Sequence, residues 1–241
     1  MNFFITMKLN NKLTKLIKYY SLINHNYIFK NAPINRYKNK DKNGLSSDKS
    51  LNILRKEISL IKNCELKKNA NNLVFADGNP GAKVMIIGEG PGANEDKVGK
   101  PFVGRAGQLL DKMLNSINLD RTSVYITNVV NYRPPENRKP TEAEIERYLP
   151  FLIKHILIIK PKIIMLLGST ALSALIGENE VISKARGKWH DKVFENTRIS
   201  IMPSFHPAFL MRQPEQKKLA WIDLKMIRDK IKKLGIKIEK S

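Results

Sequence analysis

Four side chains that could take part in chemistry lie close to the ends of apolar runs, and three of them stand beside glycine or proline. The four are Glu89 in IIGEGPG, Phe102 in GKPFVGRAG, Asn128 at the end of YITN, and His206 after MPSF. A carboxylate can hold a water molecule, and an imidazole can donate or accept a proton. An aromatic ring can stack on a nucleobase, while one amide can match the donor and acceptor on a pyrimidine edge. These residue types therefore indicate a site for a base.

Each of the four residues also has a purely structural interpretation. Glu89 is compatible with a turn or a helix cap, and Phe102 with a core position. Asn128 could form the turn after a strand, and His206 could be a packed core histidine. The glycines of GEGPG do not decide the matter, because the loop lacks the Gly-Lys-Ser/Thr ending of a P-loop and the GxGxxG dinucleotide spacing. Only the common placement of all four near strand ends favours a shared site.

The elements that must position these residues alternate along the chain from residue 51 onward. Buried strands are predicted in AKVMIIG, SVYITNVV, KIIMLLG and RISIMPS. Helices are predicted in SLNILRKEISLIKNC, GRAGQLLDKMLNSI, PTEAEIERYLPFLIKHILIIK (broken or bent near Pro150), STALSALIG and PEQKKLAWIDLKMIRDKIKKL. This pattern predicts an α/β fold, a three-layer α/β/α sandwich with a central four-stranded parallel sheet. The loops GEGPG, TNVVNYRPP, LGSTA and PSFHPAFL would then meet at the carboxyl edge.

The charge of the chain indicates a polyanionic partner. Its 241 residues carry 43 Lys+Arg against 22 Asp+Glu, a formal net charge of +21. Residues 1–50 hold ten basic and two acidic residues, so a large excess also remains in residues 51–241. An excess of this size favours nucleic acid. A general compositional preference for lysine and asparagine is the alternative explanation. Near His206, Leu210 and Met211 are candidate wedges into a duplex, and Arg212 is a candidate phosphate contact.

The first 50 residues differ from the rest and are interpreted as a basic extension and linker. Within LNNKLTKLIKYYSLI, apolar residues recur at helical spacing, which predicts one amphipathic helix. The polar stretch NRYKNKDKNGLSSDKS is typical of a linker, and residues 51–241 form the predicted domain. No run reaches the roughly 18 apolar residues of a membrane span. Only one cysteine is present, so we expect no internal disulfide and a cytoplasmic protein.

In combination, these motifs resemble family 4 uracil-DNA glycosylases. The resemblance rests on GEGPGANEDKVGKPFVGRAGQLLD, YITNVVNYRPPENRKPT, IIMLLGSTALSALIG, RGKW and FHPAFLMRQP, and it extends from about Cys64 to about Lys230. It implies a parallel-sheet α/β/α sandwich that excises uracil from DNA and leaves an abasic site. The implied partner is uracil-containing DNA. We expect the protein to be a monomer and to have no membrane partner.

The resemblance also implies a role for each matching residue. Gly88, Glu89 and Gly90 match the first motif, whose backbone contacts uracil and whose glutamate is linked to the catalytic water. Phe102 matches the residue that stacks on the flipped base. Asn128 matches the amide that reads the uracil edge, and His206 the catalytic histidine that contacts uracil O2. Glu95 matches an acidic residue near the C5 edge of the base and is expected to help exclude thymine.

One part of the family pattern is missing. The family carries four cysteines that bind a [4Fe–4S] cluster, and the corresponding positions here are Ile61, Cys64, Tyr132 and Tyr148. Isoleucine and tyrosine cannot replace cysteine as cluster ligands. We therefore expect no metal and no cofactor, with Ile61 and the two tyrosines packed into the space. Two alternatives remain: a catalytically degenerate relative that only binds DNA or uracil, and a glycosylase for other deaminated bases such as hypoxanthine.

Overall fold

The structure, a computed structural model, describes residues 47–238. The helix predicted near the amino terminus lies outside these residues, as does most of the predicted linker. Residues 47–50 belong to the first helix, and the division of the chain at residue 50 stays a prediction. Within the described range, no helix is both long and apolar enough to cross a membrane.

The six strands form one sheet. They are β1 (Asp77–Gly78), β2 (Val84–Gly88), β3 (Tyr125–Asn128), β4 (Ile163–Leu167), β5 (His190–Phe194) and β6 (Thr197–Ser204), in the spatial order β1-β3-β2-β4-β6-β5. The inner four strands pair in parallel, which confirms the predicted parallel sheet. The two outer strands pair antiparallel and were not predicted from the sequence. β1 has only two residues and most of β5 is exposed, so neither shows the apolar pattern of a buried strand.

Helices cover both faces of the sheet. They are α1 (Ser47–Ser59), α2 (Glu65–Asn69), α3 (Ala93–Val98), α4 (Arg105–Asn115), α5 (Glu142–Ile159), α6 (Ser169–Leu175), α7 (Ile182–Ala185), α8 (Pro207–Arg212) and α9 (Lys217–Lys233). Helix α5 begins at a capping box in which Thr141 and Glu144 bond to each other's backbone N–H groups. It continues through Pro150 without a break.

The core is divided between the two faces by the alternation of side chains along each strand. In β2, Met85 and Ile87 pack with helices α1, α5 and α6. Val84 and Ile86 point to the other face, where α4, α8 and α9 contribute the apolar partners. Because alternate residues of a strand face opposite sides, an uninterrupted apolar strand requires two helical layers. The predicted three-layer sandwich is therefore confirmed.

Strand register brings the carboxyl ends of the inner strands level. Gly88 of β2 is paired with Asn128 of β3, and Leu167 of β4 with Ser204 of β6. The residues that follow these positions, Glu89 and His206 among them, therefore emerge along one edge of the sheet.

A buried ion pair supports the loop that carries His206. The Asp223 carboxylate is fully buried and accepts hydrogen bonds from the Arg186 guanidinium and from Ser204 Oγ at 2.7 Å. Arg186 also donates to the Leu219 carbonyl oxygen at 2.8 Å. Burial raises the pKa of Asp223, although the Arg186 and Ser204 hydrogen bonds oppose that shift. The network fixes the end of β6, two residues before His206.

Asp223→Ala is expected to lower the free energy of unfolding by about 3–5 kcal/mol, because Arg186 would be left as an unpaired buried charge. Urea denaturation measures this loss. The matched control is Asp229→Ala, which removes an exposed partner of Arg228 and is expected to cost less than about 1 kcal/mol. Equal losses in the two variants would contradict the assigned role of the buried pair.

Candidate functional site

A pocket of about 220 Å³ opens at the carboxyl edge of the sheet. Six residues singled out from the sequence line it: Glu89, Gly90, Glu95, Phe102, Asn128 and His206. Its remaining walls come from residues 91–92, Ala106, Pro134, residues 137–138 and Ala208. The structure thus brings together loops that are far apart in the sequence.

Asn128 presents a free acceptor at this pocket. Its side chain is 3% exposed, and Oδ1 accepts no hydrogen bond from any residue between 47 and 238. Gly88 allows the close approach, because a Cβ added there would lie 2.5 Å from Asn128 Oδ1 and 2.5 Å from the Phe102 ring. A buried unpaired acceptor destabilises a fold unless a ligand satisfies it. The amide is therefore placed to bind a donor that enters the pocket.

His206 is held as a neutral imidazole. Its Nδ1 accepts a hydrogen bond from the Ala208 backbone N–H at 3.1 Å, so the proton of the neutral ring is on Nε2. Burial lowers the pKa of His206 to about 4; the Arg212 charge lowers it further, and Glu95 opposes the shift. The side chain can consequently act at neutral pH as an Nε2–H hydrogen-bond donor, with no positive charge of its own.

This depressed pKa predicts acid sensitivity. The folded His206 ring binds fewer protons than the unfolded one, and the fully buried His155 does likewise with a pKa of about 3. The unfolding free energy is therefore expected to fall as the pH drops from about 6.5 towards 4. His155→Leu should reduce that slope by up to about 1.4 kcal/mol per pH unit. Urea denaturation from about pH 7 to about pH 4.5 measures both slopes, and equal slopes would contradict the prediction.

Glu89 is fixed by a residue that the sequence analysis did not single out. Thr170, near the start of α6, is buried and donates a short hydrogen bond from Oγ1 to Glu89 Oε2. The predicted loop LGSTA contains this threonine, and its position after β4 was the available signal. Gly168 before it has φ of 91°, in the region that favours glycine. The hydrogen bond orients the Glu89 carboxylate at the pocket.

Thr170→Val keeps the shape of the side chain and removes its hydroxyl. For the uracil excision that the motif resemblance implies, the rate of the chemical step is expected to fall about tenfold, since a hydrogen bond to a charged group contributes roughly 1.5 kcal/mol. DNA affinity should be unchanged. The separate variant Thr170→Ser keeps the hydroxyl and should have a rate near that of wild type. Single-turnover kinetics combined with binding titration separates the two effects. A loss of affinity with an unchanged rate would contradict the positioning role.

Phe102 lies against His206 and has an unusual backbone. The two ring centroids are 5.6 Å apart in a stacked arrangement. Phe102 has φ of 55°, which is uncommon for a residue with a side chain. Arg121 stabilises this loop by donating to the carbonyl oxygens of Pro101, at 3.1 Å, and of Phe102. Arg121 is in turn paired with Asp77 and Asp111.

Glu95 stabilises the opposite side of the same loop. Its Oε1 accepts hydrogen bonds from the backbone N–H groups of Val103 at 2.9 Å and Gly104 at 2.8 Å. Its Oε2 accepts one from Gly92 at 3.2 Å. The carboxylate thus joins the glycine-rich loop to the Phe102 loop and fixes its own position at the pocket wall. Its role in excluding thymine stays a prediction.

The segment after His206 is only partly available to DNA. Leu210 is 1% exposed and packs in the core, so the prediction that it is a wedge is wrong. Its position in helix α8 turns the side chain inward, onto the sheet. Met211 is half-buried and Arg212 is exposed, so both stay candidates for contact with DNA.

The four positions that correspond to cluster ligands are occupied by packed side chains. Tyr148 is fully buried, and its hydroxyl is hydrogen-bonded to Cys64 Sγ at 3.2 Å. Tyr132 and Cys64 are also buried, and Ile61 packs against the same core. Burial raises the pKa of both tyrosines, so their phenols stay neutral. These residues do not fit an iron–sulfur cluster. In the part of the chain that is described, no group of three His, Cys, Asp or Glu residues could hold a metal ion.

Arg147 joins the chain segments that contain these positions. From helix α5 it donates hydrogen bonds to the carbonyl oxygens of Lys62 and of Asn63, the latter at 2.7 Å. Lys67 Nζ donates to the Ser59 carbonyl oxygen at 2.6 Å. The segment between α1 and α2 is therefore held to α5 by side chains.

Comparison with known proteins identifies the family. The chain matches the Uracil DNA glycosylase superfamily over residues 75–225. It is 42% identical over 185 residues to the type-4 uracil-DNA glycosylase of Sulfurisphaera tokodaii, covering 75% of this chain and 84% of the relative. The type-4 enzyme of Thermotoga maritima is 41% identical over 175 residues, covering 71% of this chain and 90% of the relative. The resemblance drawn from the motifs is thereby confirmed: the chain belongs to the uracil DNA glycosylase superfamily, among its type-4 members.

Proposed function

We propose that this protein is a DNA glycosylase of base excision repair that hydrolyses the N-glycosidic bond of a flipped-out deoxyuridine. The free Oδ1 acceptor of Asn128 is the observation that carries the proposal. It lies in a pocket that also contains a neutral histidine donor, a fixed carboxylate and an aromatic ring. A base inside a duplex cannot reach such a pocket, so the nucleotide must leave the stack.

Asn128 supplies the selectivity for uracil over cytosine. Its Oδ1 accepts the uracil N3–H, and its amide NH₂ donates to uracil O4. Cytosine has an acceptor at N3 and an amino group at C4. With the amide in the same orientation, Asn128 Oδ1 would face the N3 acceptor and the Asn128 NH₂ would face the amino group. A site built for matched hydrogen bonds rejects such a partner because its buried polar groups are left unpaired. Phe102 provides the stacking surface, and the backbones of Gly88 and Gly90 contact the base.

His206 and Glu89 carry the catalytic step. As the bond to C1′ breaks, negative charge develops on uracil O2 and positive charge on the sugar. The Nε2–H of His206 donates to O2 and stabilises the departing anion. The Glu89 carboxylate, oriented by Thr170, holds the attacking water and favours the cationic sugar. Met211 and Arg212 contact the DNA beside the extruded nucleotide.

A substrate panel tests the proposal against its alternatives. Uracil release is measured with U:G, U:A and single-stranded uracil oligonucleotides, and base release with a hypoxanthine oligonucleotide. We expect release of free uracil and an alkali-sensitive abasic site. Binding of DNA without release would favour the degenerate relative. Faster release of hypoxanthine than of uracil would favour the broader glycosylase. The monomeric state and the cytoplasmic location stay predictions.

We further propose that the enzyme works without a [4Fe–4S] cluster. Neutral phenols stand at two of the four ligand positions and an isoleucine at a third. Their packing, the Cys64–Tyr148 hydrogen bond and the Arg147 contacts join the segments that a cluster would otherwise connect. Iron and sulfide analysis of the purified protein is expected to find neither element in stoichiometric amount. About four iron atoms per chain, the content of a [4Fe–4S] cluster, would overturn this proposal.

A further inference from the structure

A second concave surface lies at the amino ends of the strands, at the opposite end of the sheet from the base pocket. Its cavity is about 600 Å³. Lys83 precedes β2, Lys162 precedes β4, and Arg198 lies near the start of β6; these three strands are neighbours. Lys230 and Lys237 from the carboxyl-terminal part of the chain complete the row of cations. Asp191 also lines this surface, which we call the rear groove.

The rear groove has a large excess of positive charge. Asp191 is its single carboxylate among the residues that the structure describes. That carboxylate is already bonded, since Oδ2 accepts from Arg198 at 2.8 Å and Oδ1 from Ser200 Oγ at 2.8 Å. Lys230 lies over the Trp189 ring, with Nζ 5.0 Å from the centroid. Lys83, Lys162 and Lys237 are exposed. Of the five cations, Arg198 forms a salt bridge with the Asp191 carboxylate and Lys230 interacts with it through charge alone. Lys83, Lys162 and Lys237 are left without a carboxylate partner in the groove.

The spacing of the cations is set by the backbone. Lys162 N donates to the Lys83 carbonyl oxygen at 2.8 Å, and Ser200 N donates to the Lys162 carbonyl oxygen at 3.1 Å. Neighbouring strands lie about 4.8 Å apart, so the backbones of Lys83, Lys162 and Arg198 lie side by side at the starts of their strands. A row of exposed lysines suits a polyanion with regularly repeated charges. Each phosphate contact releases counterions, and these contributions add along the row.

We propose that the rear groove binds the phosphodiester backbone of a second DNA segment, separate from the one whose base enters the pocket. The five-residue strand between Lys83 and Glu89 spans roughly 17 Å, and the loops add to this distance. A straight duplex that lies over the pocket therefore does not reach the groove. One chain can then hold two DNA segments at once, which would let it pass from one to the other without complete release.

Sedimentation velocity with a short labelled duplex without uracil, in excess over the full chain, tests the proposal. The wild-type chain is expected to bind two duplexes at low salt. The affinity for the second should fall roughly a hundredfold between about 50 and 200 mM salt, as four phosphate contacts would require. The triple variant Lys83→Gln, Lys162→Gln, Lys237→Gln should bind one duplex. Replacing the same lysines with arginine should preserve two.

A second triple variant controls for net charge. Lys56→Gln, Lys62→Gln, Lys68→Gln removes equal charge from exposed positions in residues 56–68 and should still bind two duplexes. Single-turnover uracil release by the rear-groove variant should match that of wild type. The proposal is overturned if wild type binds one duplex, if the two glutamine triples behave alike, or if the rear-groove variant loses uracil release. An acidic protein as the true partner would give the first or second of these results. The stoichiometry does not depend on excision, so absent uracil release in wild type would count only against the proposed function.

Discussion

Asn128→Ala is expected to slow uracil release in a single turnover by roughly a hundredfold, because two hydrogen bonds to the base are lost at about 1–1.5 kcal/mol each. Nonspecific DNA binding should be nearly unchanged, since the amide lies inside the pocket, away from the phosphates. Removal of the unpaired Oδ1 also relieves a buried acceptor. The variant should therefore lose no more unfolding free energy than other large-to-small changes at buried positions. The expected defect is in recognition of the base and in the rate of the chemical step.

Asn131 provides the matched control for Asn128. It is also a buried asparagine and lies three residues beyond Asn128, the last residue of β3, but its Nδ2 donates to the carbonyl oxygens of Val74 at 3.1 Å and Phe75 at 3.3 Å. Asn131→Ala should lower the unfolding free energy by about 1–3 kcal/mol and leave the rate of excision near that of wild type. If both variants excise uracil at the wild-type rate, Asn128 does not read the base.

His206→Ala is expected to reduce the single-turnover rate by about a hundred- to a thousandfold, the effect of removing one donor from a developing oxyanion. The neutral Nε2–H donor is aligned by the Ala208 hydrogen bond to Nδ1, so no reorganisation is needed as charge develops on O2. With a pKa of about 4, His206 should add no ionisation to the rate profile between about pH 6 and pH 8. A rate profile that titrates near pH 6.5 and loses this step in His206→Ala would contradict a neutral donor.

The alanine variant also removes a helix cap, so a second variant separates the two effects. Asparagine is a good capping residue, and His206→Asn is expected to keep the cap of α8 while its shorter side chain no longer reaches the position of Nε2. Both variants should lose excision, and only His206→Ala should lose about 1 kcal/mol of stability. His190→Ala, on the edge strand β5, should change neither. Recovery of the rate in His206→Asn would show that the cap, not the donor, matters.

The parallel sheet and the positions of the four loops could be predicted from the sequence because both depend on local patterns. Uninterrupted apolar runs such as that of β4 require burial on two faces, and chain direction then places every loop at the same edge. Strand β5 was missed because its residues alternate weakly and lie at the edge of the sheet. Its place depends on pairing with β6, which no local pattern records.

The residues that support the site could not be predicted, because their contacts are between distant segments. Thr170 bonds to Glu89 across 81 residues, and Arg121 reaches the Phe102 carbonyl from the next helix–strand connection. For Leu210, by contrast, a role was predicted that the structure contradicts. Its apolar side chain beside Arg212 fitted a wedge, but the helix direction at His206 turns it into the core. Sequence alone gave the residue types of the site and left their orientation open.

Cys64 illustrates how one position gains meaning from its neighbours in space. Alone in the sequence it could have been a nucleophile or a metal ligand. In the structure it is buried against Tyr148, and its sulfur is hydrogen-bonded to a phenol. The site chemistry belongs instead to Glu89, Asn128 and His206, at the carboxyl edge of the sheet.

Uracil release by purified protein of determined iron content tests the central claim most directly. Enzyme in excess is mixed with a U:G duplex, and free uracil is measured in a single turnover. We predict complete release of uracil by protein that contains no stoichiometric iron, with the rate greatly reduced in Asn128→Ala. Failure of the iron-free wild-type protein to release uracil from any uracil-containing oligonucleotide would contradict the claim.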